Sequence, residues 1–582
     1  MILQALYDYY QKKSADPDSH IAPEGWEWKE IPYIILIDED GNFVSIEDTR
    51  EGEGRKRRSK KFLVPQSVNR TVGKNANLLW DNIEYALGAN PRNRNDVEER
   101  FNLFIERIKN EIVSENIPSV KSLLKFLENK PLGKIESSGY TELWQKILDE
   151  NPFIVFKIDG TTNNCICDDL RGKLRRLYQN EGNDLCLITG ETKTKVARLH
   201  SKIKGVRGGQ TQGGALISFN LPSFNSYGKK QNYNSPISQS AAFAYTTALN
   251  ILLGKDSKNK ISIADTTIVY WAEKKTQEIN PEEMFSFLVS RKKDEDNPDE
   301  GIQVIESFIN SVFTGKLSSE KTNHFYVLGL APNAARISVR FWKAPSVEDF
   351  GYNIKKHFDD FEIVHGPKDQ KYLSLYQILP SVALAYKMDN VPPNLVGAVI
   401  ESIIDGTPYP RTLMQQCVRR IRAEQTVNRT RAAILKAYLN RFNKIHNKNE
   451  KEITMGLDPT NKNVSYSIGR LFAVLEKIQE EANPGINATI RDRYYGAASS
   501  SPVTVFPRLL SLKNSHLKKL NPGRKIFFEK LIGEVVAEIS SFPTNLALDG
   551  QANFAIGYYH QRQDFFSKKS EKEVVEIEPN NN

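Results

Sequence analysis

From about Phe361 onward the chain shows no run with the two-residue alternation of a half-buried strand, whereas the part before it is rich in such runs. Sheets must therefore be built from the first part, and the remainder must bury helix faces against other helices. The expected fold class is an α+β N-terminal region, with mixed or antiparallel sheets and helical insertions, followed by an all-α C-terminal bundle. Strands are expected at Phe153–Ile158, Leu185–Ile188, Ala215–Phe219, Ile261–Trp271, His324–Leu330 and Arg336–Trp342. In the last, alternation assigns Ile337, Val339 and Phe341 to the inside. Asp40-Gly41 between Ile31–Asp38 and Asn42–Glu47 is a hairpin signal, and the first of these strands is apolar on both faces. A helix is expected from Asp96, with Phe101, Phe104, Ile105 and Ile108 on one face. Polar breaks divide the chain into an α+β region at 1–150, a strand-rich core at 151–360, an Arg-rich helical connector at 361–450 and a helical bundle at 451–570. An acidic tail at 571–582 is expected to be disordered.

At 582 residues, several folding units are expected, and 39% hydrophobic with 26% charged residues suits globular cores. No apolar run approaches the roughly 20 residues of a bilayer crossing, the first residues lack a signal-peptide core, and four cysteines fit a reducing cytoplasm. No membrane partner is expected.

The net charge of +9 suggests a polyanionic partner, and its placement says more than its size. Arg411–Lys444 carries nine basic residues against Glu424 alone, with apolar residues at helical spacing from Met414 to Ile445. Its guanidinium groups suit phosphate, so Arg419, Arg420, Arg422, Arg429 and Arg431 are phosphate-binding candidates, although a solvated helix face would read the same way. The run Arg55, Lys56, Arg57, Arg58, Lys60 and Lys61 adds a second patch. The segment from Lys193 to Arg207, with Lys193, Lys195, Arg198, Lys202, Lys204 and Arg207, adds a third, of which Lys202, Lys204 and Arg207 are phosphate-binding candidates, and Lys513, Lys518 and Lys519 a fourth.

Carboxamides pair with base edges and aromatic rings stack on unpaired bases. The amide-rich stretch Gln66–Asn77, which holds no strand or helix pattern, therefore offers Asn69, Arg70, Lys74, Asn75 and Asn77 as base-contact candidates. The glycine-rich GVRGGQTQGG offers Gln210 and Gln212, and it lacks the lysine signature of an NTPase loop. Ser218–Tyr227 concentrates hydroxyls, amides and aromatics. Cys165, Cys167, Cys186 and His200 are a weak zinc set, because C-x-C is not the usual knuckle spacing and thiols near a strand are commonly structural. No hydrolase, zinc-protease or helicase motif is present, and His357-Phe-Asp359 is not an adjacent metal-nuclease dyad. A non-catalytic protein without cofactor is expected. A metal-dependent nuclease with an unrecognised site is the alternative.

The strings MILQALYDYY, GWEWKEIPYIILIDEDGNF, CLITGE, LGLAPNAARISVRFW and LFAVLEKIQEEANPGINATIRDRYYGAASSSPVTVFPRLL span nearly the whole chain. Together they resemble the large subunit of the type I-C CRISPR surveillance complex, Cascade. The resemblance implies an antiviral ribonucleoprotein subunit that binds crRNA near its 5′ handle, beside the crRNA-processing subunit, and meets backbone and small subunits. It further implies that the subunit reads a protospacer-adjacent motif in double-stranded target DNA, helps open the duplex, stabilises the R-loop and supports recruitment of a helicase-nuclease. The C-terminal unit resembles the family's small subunit, for which Met455 is the candidate internal start.

Overall fold

The computed structural model describes residues 1–52, 57–68, 70, 73–112, 116–171, 181–275, 280–289, 300–314, 322–447 and 450–566. The tail at 571–582, and the stretch 292–299 whose composition KKDEDNPD reads as a polar surface loop, lie outside them. The chain divides into two compact units, Met1–Ile203 with Gln212–Ile251 and Lys204–Thr211 with Leu252–Asn582.

The first unit is α+β. Its mixed sheet runs in the order Phe43–Asp48, Tyr33–Ile37, Phe153–Ile158, Trp80–Asn82. Tyr33–Ile37 pairs antiparallel with Phe43–Asp48 and parallel with Phe153–Ile158. Its sequence YIILI is apolar on both faces because every residue of this inner strand is buried. The expected hairpin turns at Gly41, at φ 79°, where a Cβ would stand 2.7 Å from the Ser122 carbonyl oxygen of the helix Pro118–Glu128. Glycine is thus required both by the turn and by the close approach of that helix. Val97–Ile112 forms the expected helix and buries Phe104 and Ile108, with Glu98 and Glu99 in its first turn, where the helix dipole favours them. A separate ribbon pairs Trp26–Glu30 with Lys61–Pro65. Pattern reading missed it, because the first strand is split between Trp and charged residues.

Two expected strands do not form. Around Leu185–Ile188 the chain turns back on itself, with Cys186 and Glu191 joined by a backbone hydrogen bond of 2.9 Å, and the short strand lies just before, at Glu181–Asp184. Ala215–Phe219 is irregular; Gly214, just before it, makes a single bridge with Ile203.

The second unit holds an antiparallel sheet ordered Arg336–Lys343, Phe325–Asn333, Thr266–Ala272, Lys260–Ile263. The expected strand over Ile261–Trp271 is two strands, broken at Ala264 with φ 51°. Val339 is 42% exposed rather than inside. A register shift lets Val339 and Phe341 face the consecutive residues Leu330 and Gly329, so they point to opposite sides. The rest of the unit is helical, from Val347–Phe361 through Leu375–Ser381, Leu395–Ile404, Arg411–Glu424 and Arg429–His446 to Leu548–Asp564. No strand follows Lys343 among the described residues. The stretches 361–450 and 451–570 share one hydrophobic core with the sheet. At its centre Val464–Ala482 crosses Leu548–Asp564 backbone to backbone: a Cβ on Gly469 would stand 2.0 Å from the Phe554 carbonyl oxygen. No described helix is long and apolar enough to cross a membrane.

Two buried histidines of this unit bond tyrosine hydroxyls, His357 to Tyr409 at 2.8 Å and His560 to Tyr466 at 3.0 Å. Burial holds both neutral, and the His560 imidazole is pushed down to about 3. Unfolded, each would take up a proton below about pH 6.5. Their contribution is therefore complete above that pH and is lost as pH falls toward the folded values. Between pH 6.5 and 5 the native protein is expected to lose about 2 kcal/mol more unfolding free energy than His560→Gln. Urea unfolding at stepped pH reads this difference.

Candidate nucleic-acid interface

The described residues of the amide-rich stretch in the first unit form a braced loop without helix or strand. It leaves Lys61–Pro65 and enters the sheet edge at Trp80–Asn82, where the Trp80 indole N–H donates to the Pro65 carbonyl at 2.8 Å. Asp81 beneath it is wholly buried and accepts the backbone N–H groups of Asn77 and Asn82, both at 2.8 Å. It also pairs with the Arg70 guanidinium, which donates to the Asn75 carbonyl at 2.7 Å and lies over the Tyr85 ring. Burial pushes the Asp81 carboxyl up, against the pull of Arg70.

The bracing sorts the candidates. Asn77 is buried, and its Oδ1 accepts the Val68 N–H at 3.0 Å, so it holds the loop and cannot reach a base. Lys74 is leashed to Glu99 at 2.5 Å and Asp96 at 3.2 Å, which raise it, while Arg100 and then Lys74 hold the Asp96 carboxyl down to about 2. Asn75 remains exposed on a fixed backbone, beside Gly73, around which a Cβ would meet nothing. Asn69 lies outside the described residues.

The basic helices depart furthest from the expected phosphate-binding role. Residues Arg431 to Arg441 of Arg429–His446 are all buried. Arg431 donates to the carbonyls of Ser381 at 2.9 Å and Thr426 at 3.1 Å and pairs with Glu424 at 2.5 Å, so it binds no phosphate. Arg429 donates to the carbonyls of Gln370 and, at 2.8 Å, Lys371. Lys436 reaches the Asp360 carbonyl at 3.0 Å, and Arg441 the Ser402 and Thr407 carbonyls at 2.9 and 2.7 Å. Arg431, Lys436 and Arg441 satisfy carbonyls at or just past the C-terminal ends of neighbouring helices and Arg429 satisfies loop carbonyls, a use that sequence spacing does not separate from phosphate binding. On Arg411–Glu424, Arg419 and Arg422 are exposed, while Arg420 lies 3.7 Å from Glu424. Arg57 pairs with Asp48 at 3.0 Å, Arg58 is in a backbone bridge with Glu51, and Lys60 donates to Asn164 at 2.8 Å. Lys61 is exposed in its strand, and Arg55 and Lys56 lie outside the described residues. Lys519 donates to Asn483 at 2.7 Å and Lys513 to Asn514 at 3.0 Å, with Lys518 exposed. Met455 is half exposed, and its carbonyl accepts the Val364 N–H at 2.9 Å.

The strongest cationic feature was legible only in part. Between Glu191 and Asp256 there is no acidic residue, while nine are Lys or Arg. Clustered bases marked it from Lys193 to Arg207, and counting absent acids would have extended it to Lys229 and Lys230. In the first unit Lys193 and Lys195 face solvent in alternation with buried Thr194 and Val196, which bridge to Asp184 and Ser238. Arg198, Lys229 and Lys230 are also exposed and Lys202 is half-buried. None of the six has an acid partner among the described residues. Gln212 is exposed in the same unit. In the second unit Arg207 is held by its N–H on Thr267 at 2.9 Å and its guanidinium on Asp389 at 3.1 Å, with Lys204 and Gln210 exposed nearby in sequence.

The weak zinc set does not assemble: no group of three or more metal-binding side chains occurs among the described residues. Cys165 and Cys167 lie in the sheet's core, Cys186 Sγ accepts the Ser238 N–H at 3.3 Å, and His200 Nδ1 bonds the Tyr245 hydroxyl at 2.7 Å.

The model of the family described as CRISPR-associated protein (Cas_Csd1) matches residues 6–566. No curated protein matches the chain.

Proposed function

Because this chain belongs to the Csd1 family of CRISPR-associated proteins, we propose that it is the large, non-cleaving subunit of a type I-C RNA-guided surveillance complex in the prokaryotic cytoplasm. Pairing with crRNA reads the target sequence, and this subunit reads the short flanking motif in duplex DNA, helps separate the strands and steadies the R-loop. It meets the crRNA at its 5′ handle, alongside the other subunits, and supports recruitment of a separate helicase-nuclease.

The observation that carries this reading is the set of exposed cations of the first unit, Lys193, Lys195, Arg198, Lys229 and Lys230, in a stretch without acids and with no acid partner among the described residues. Like charges left without partners add nothing to folding and suit a phosphate backbone. The braced loop supplies the complementary element, an exposed carboxamide at Asn75 on a backbone tied to buried Asp81. Phosphate contacts position, and base contacts specify.

Asn75→Ala is expected to reduce discrimination between correct and incorrect motifs by a factor corresponding to about 1–3 kcal/mol, with little change in the salt dependence of binding. Competition binding by the assembled complex on two duplexes differing only in the motif measures it. Unchanged discrimination removes Asn75 from motif reading. Incubating the purified subunit with labelled DNA and Mg²⁺ or Mn²⁺ tests the absence of cleavage chemistry, and cut product would favour a nuclease.

A further inference from the structure

Tyr227 is 98% exposed, more than any other large apolar or aromatic side chain described. It nevertheless sits on a pinned backbone. Ser226 and Lys229 form a bridge with a hydrogen bond of 2.9 Å, and Tyr227 and Gly228 between them have φ of 48° and 70°. Positive φ at both central positions is the signature of the mirror-image hairpin turn, which favours Asn-Gly. A tyrosine there is disfavoured on conformational grounds, which points to a role for its ring.

One side chain locks the turn from behind. Asn234 accepts the Ser226 N–H at 2.9 Å and donates to the carbonyls of Lys229 at 3.1 Å and Gln231 at 2.8 Å. The ring therefore projects from a preorganised support, which reduces the ordering cost of binding. Lys229 and Lys230 follow it directly, both exposed, and no acid occurs in the surrounding stretch. A rigid aromatic beside two unpaired cations fits a nucleotide whose base is free to stack and whose phosphates lie close by.

We infer that Tyr227 stacks on an unpaired base of a single-stranded nucleic acid, with Lys229 and Lys230 on the adjoining phosphates. The inference rests on the nucleic-acid-binding reading above and adds to it a strand type and a contact. The full-length protein is titrated with a single-stranded DNA oligonucleotide carrying 2-aminopurine, whose fluorescence falls on stacking, across a series of salt concentrations. Tyr227→Ala is expected to weaken binding about 5- to 150-fold and abolish the quenching, while leaving the salt slope unchanged. Tyr227→Phe should retain both affinity and quenching. Lys229→Ala with Lys230→Ala should instead lower the slope by about 1.4, at roughly 0.7 for each contact. If Tyr227→Ala matches the native protein while binding remains salt-sensitive, the stacking role is wrong and the broader reading survives. If Tyr227→Phe fails as badly as alanine, the hydroxyl and not the ring face is the contact. If no DNA is bound at any salt, both fall.

Discussion

Arg441→Ala is expected to lower the unfolding free energy by about 3–5 kcal/mol, the usual result of removing one partner from a buried ion pair. Arg441 is 3% exposed, pairs with Asp360, donates to the Ser402 and Thr407 carbonyls and lies over the Tyr409 ring. Truncation leaves a largely buried carboxylate and two carbonyls without their donor. The Asp360 carboxyl is already raised by burial, with Arg441 pulling against it. Urea unfolding of the full-length protein measures the loss, and Asp360→Ala in a double-mutant cycle isolates the pair. Arg419→Ala, on an exposed site, should change stability by less than about 0.5 kcal/mol. Were Arg441 a phosphate ligand, the pattern would reverse, with stability kept and DNA affinity lost.

The second large effect concerns binding. Replacing Lys193, Lys195, Arg198 and Lys202 together with alanine removes four cations that have no acid partner among the described residues. Each phosphate contact in duplex DNA contributes about 0.9 to the slope of log affinity against log salt, so the slope should fall by about 3 to 4. Between 50 and 200 mM salt this corresponds to roughly a 100-fold smaller change in affinity for the variant. Filter binding of the assembled complex to target duplex reads it, and the unfolding midpoint should not move. An unchanged slope would place the phosphate contacts elsewhere and remove the main support for the proposed function.

The two experiments separate cations of identical chemistry by what surrounds them. Arg441 and Arg198 are indistinguishable as letters, and both lie in basic stretches. One ends among carbonyls inside a helical core, the other in solvent beside a bridge to Ser238. Helical spacing at Ile434 and Tyr438 correctly marks a buried face. It does not reveal that the opposite face is covered as well, because that depends on helices distant in sequence, Leu375–Ser381 and Leu395–Ile404 among them. In the amide loop the exposure of Asn75 agrees with its polarity. The burial of Asn77 follows from Asp81, a single carboxylate on a short edge strand that no local pattern announces.

Local chemistry was sufficient for the elements it governs alone. The Asp40-Gly41 turn, the fully apolar inner strand, the helix after Asp96 and the change to an all-helical second part are written in short-range periodicity and turn residues. The long matching strings placed the chain in its family on the same footing. Tertiary structure alone decided which cations face water, which amides brace a loop, how a bulge turns Val339 outward, and that no three of the four would-be zinc ligands come together. Those outcomes depend on neighbours supplied from far along the chain, and burial is a property of the assembled neighbourhood rather than of the residue.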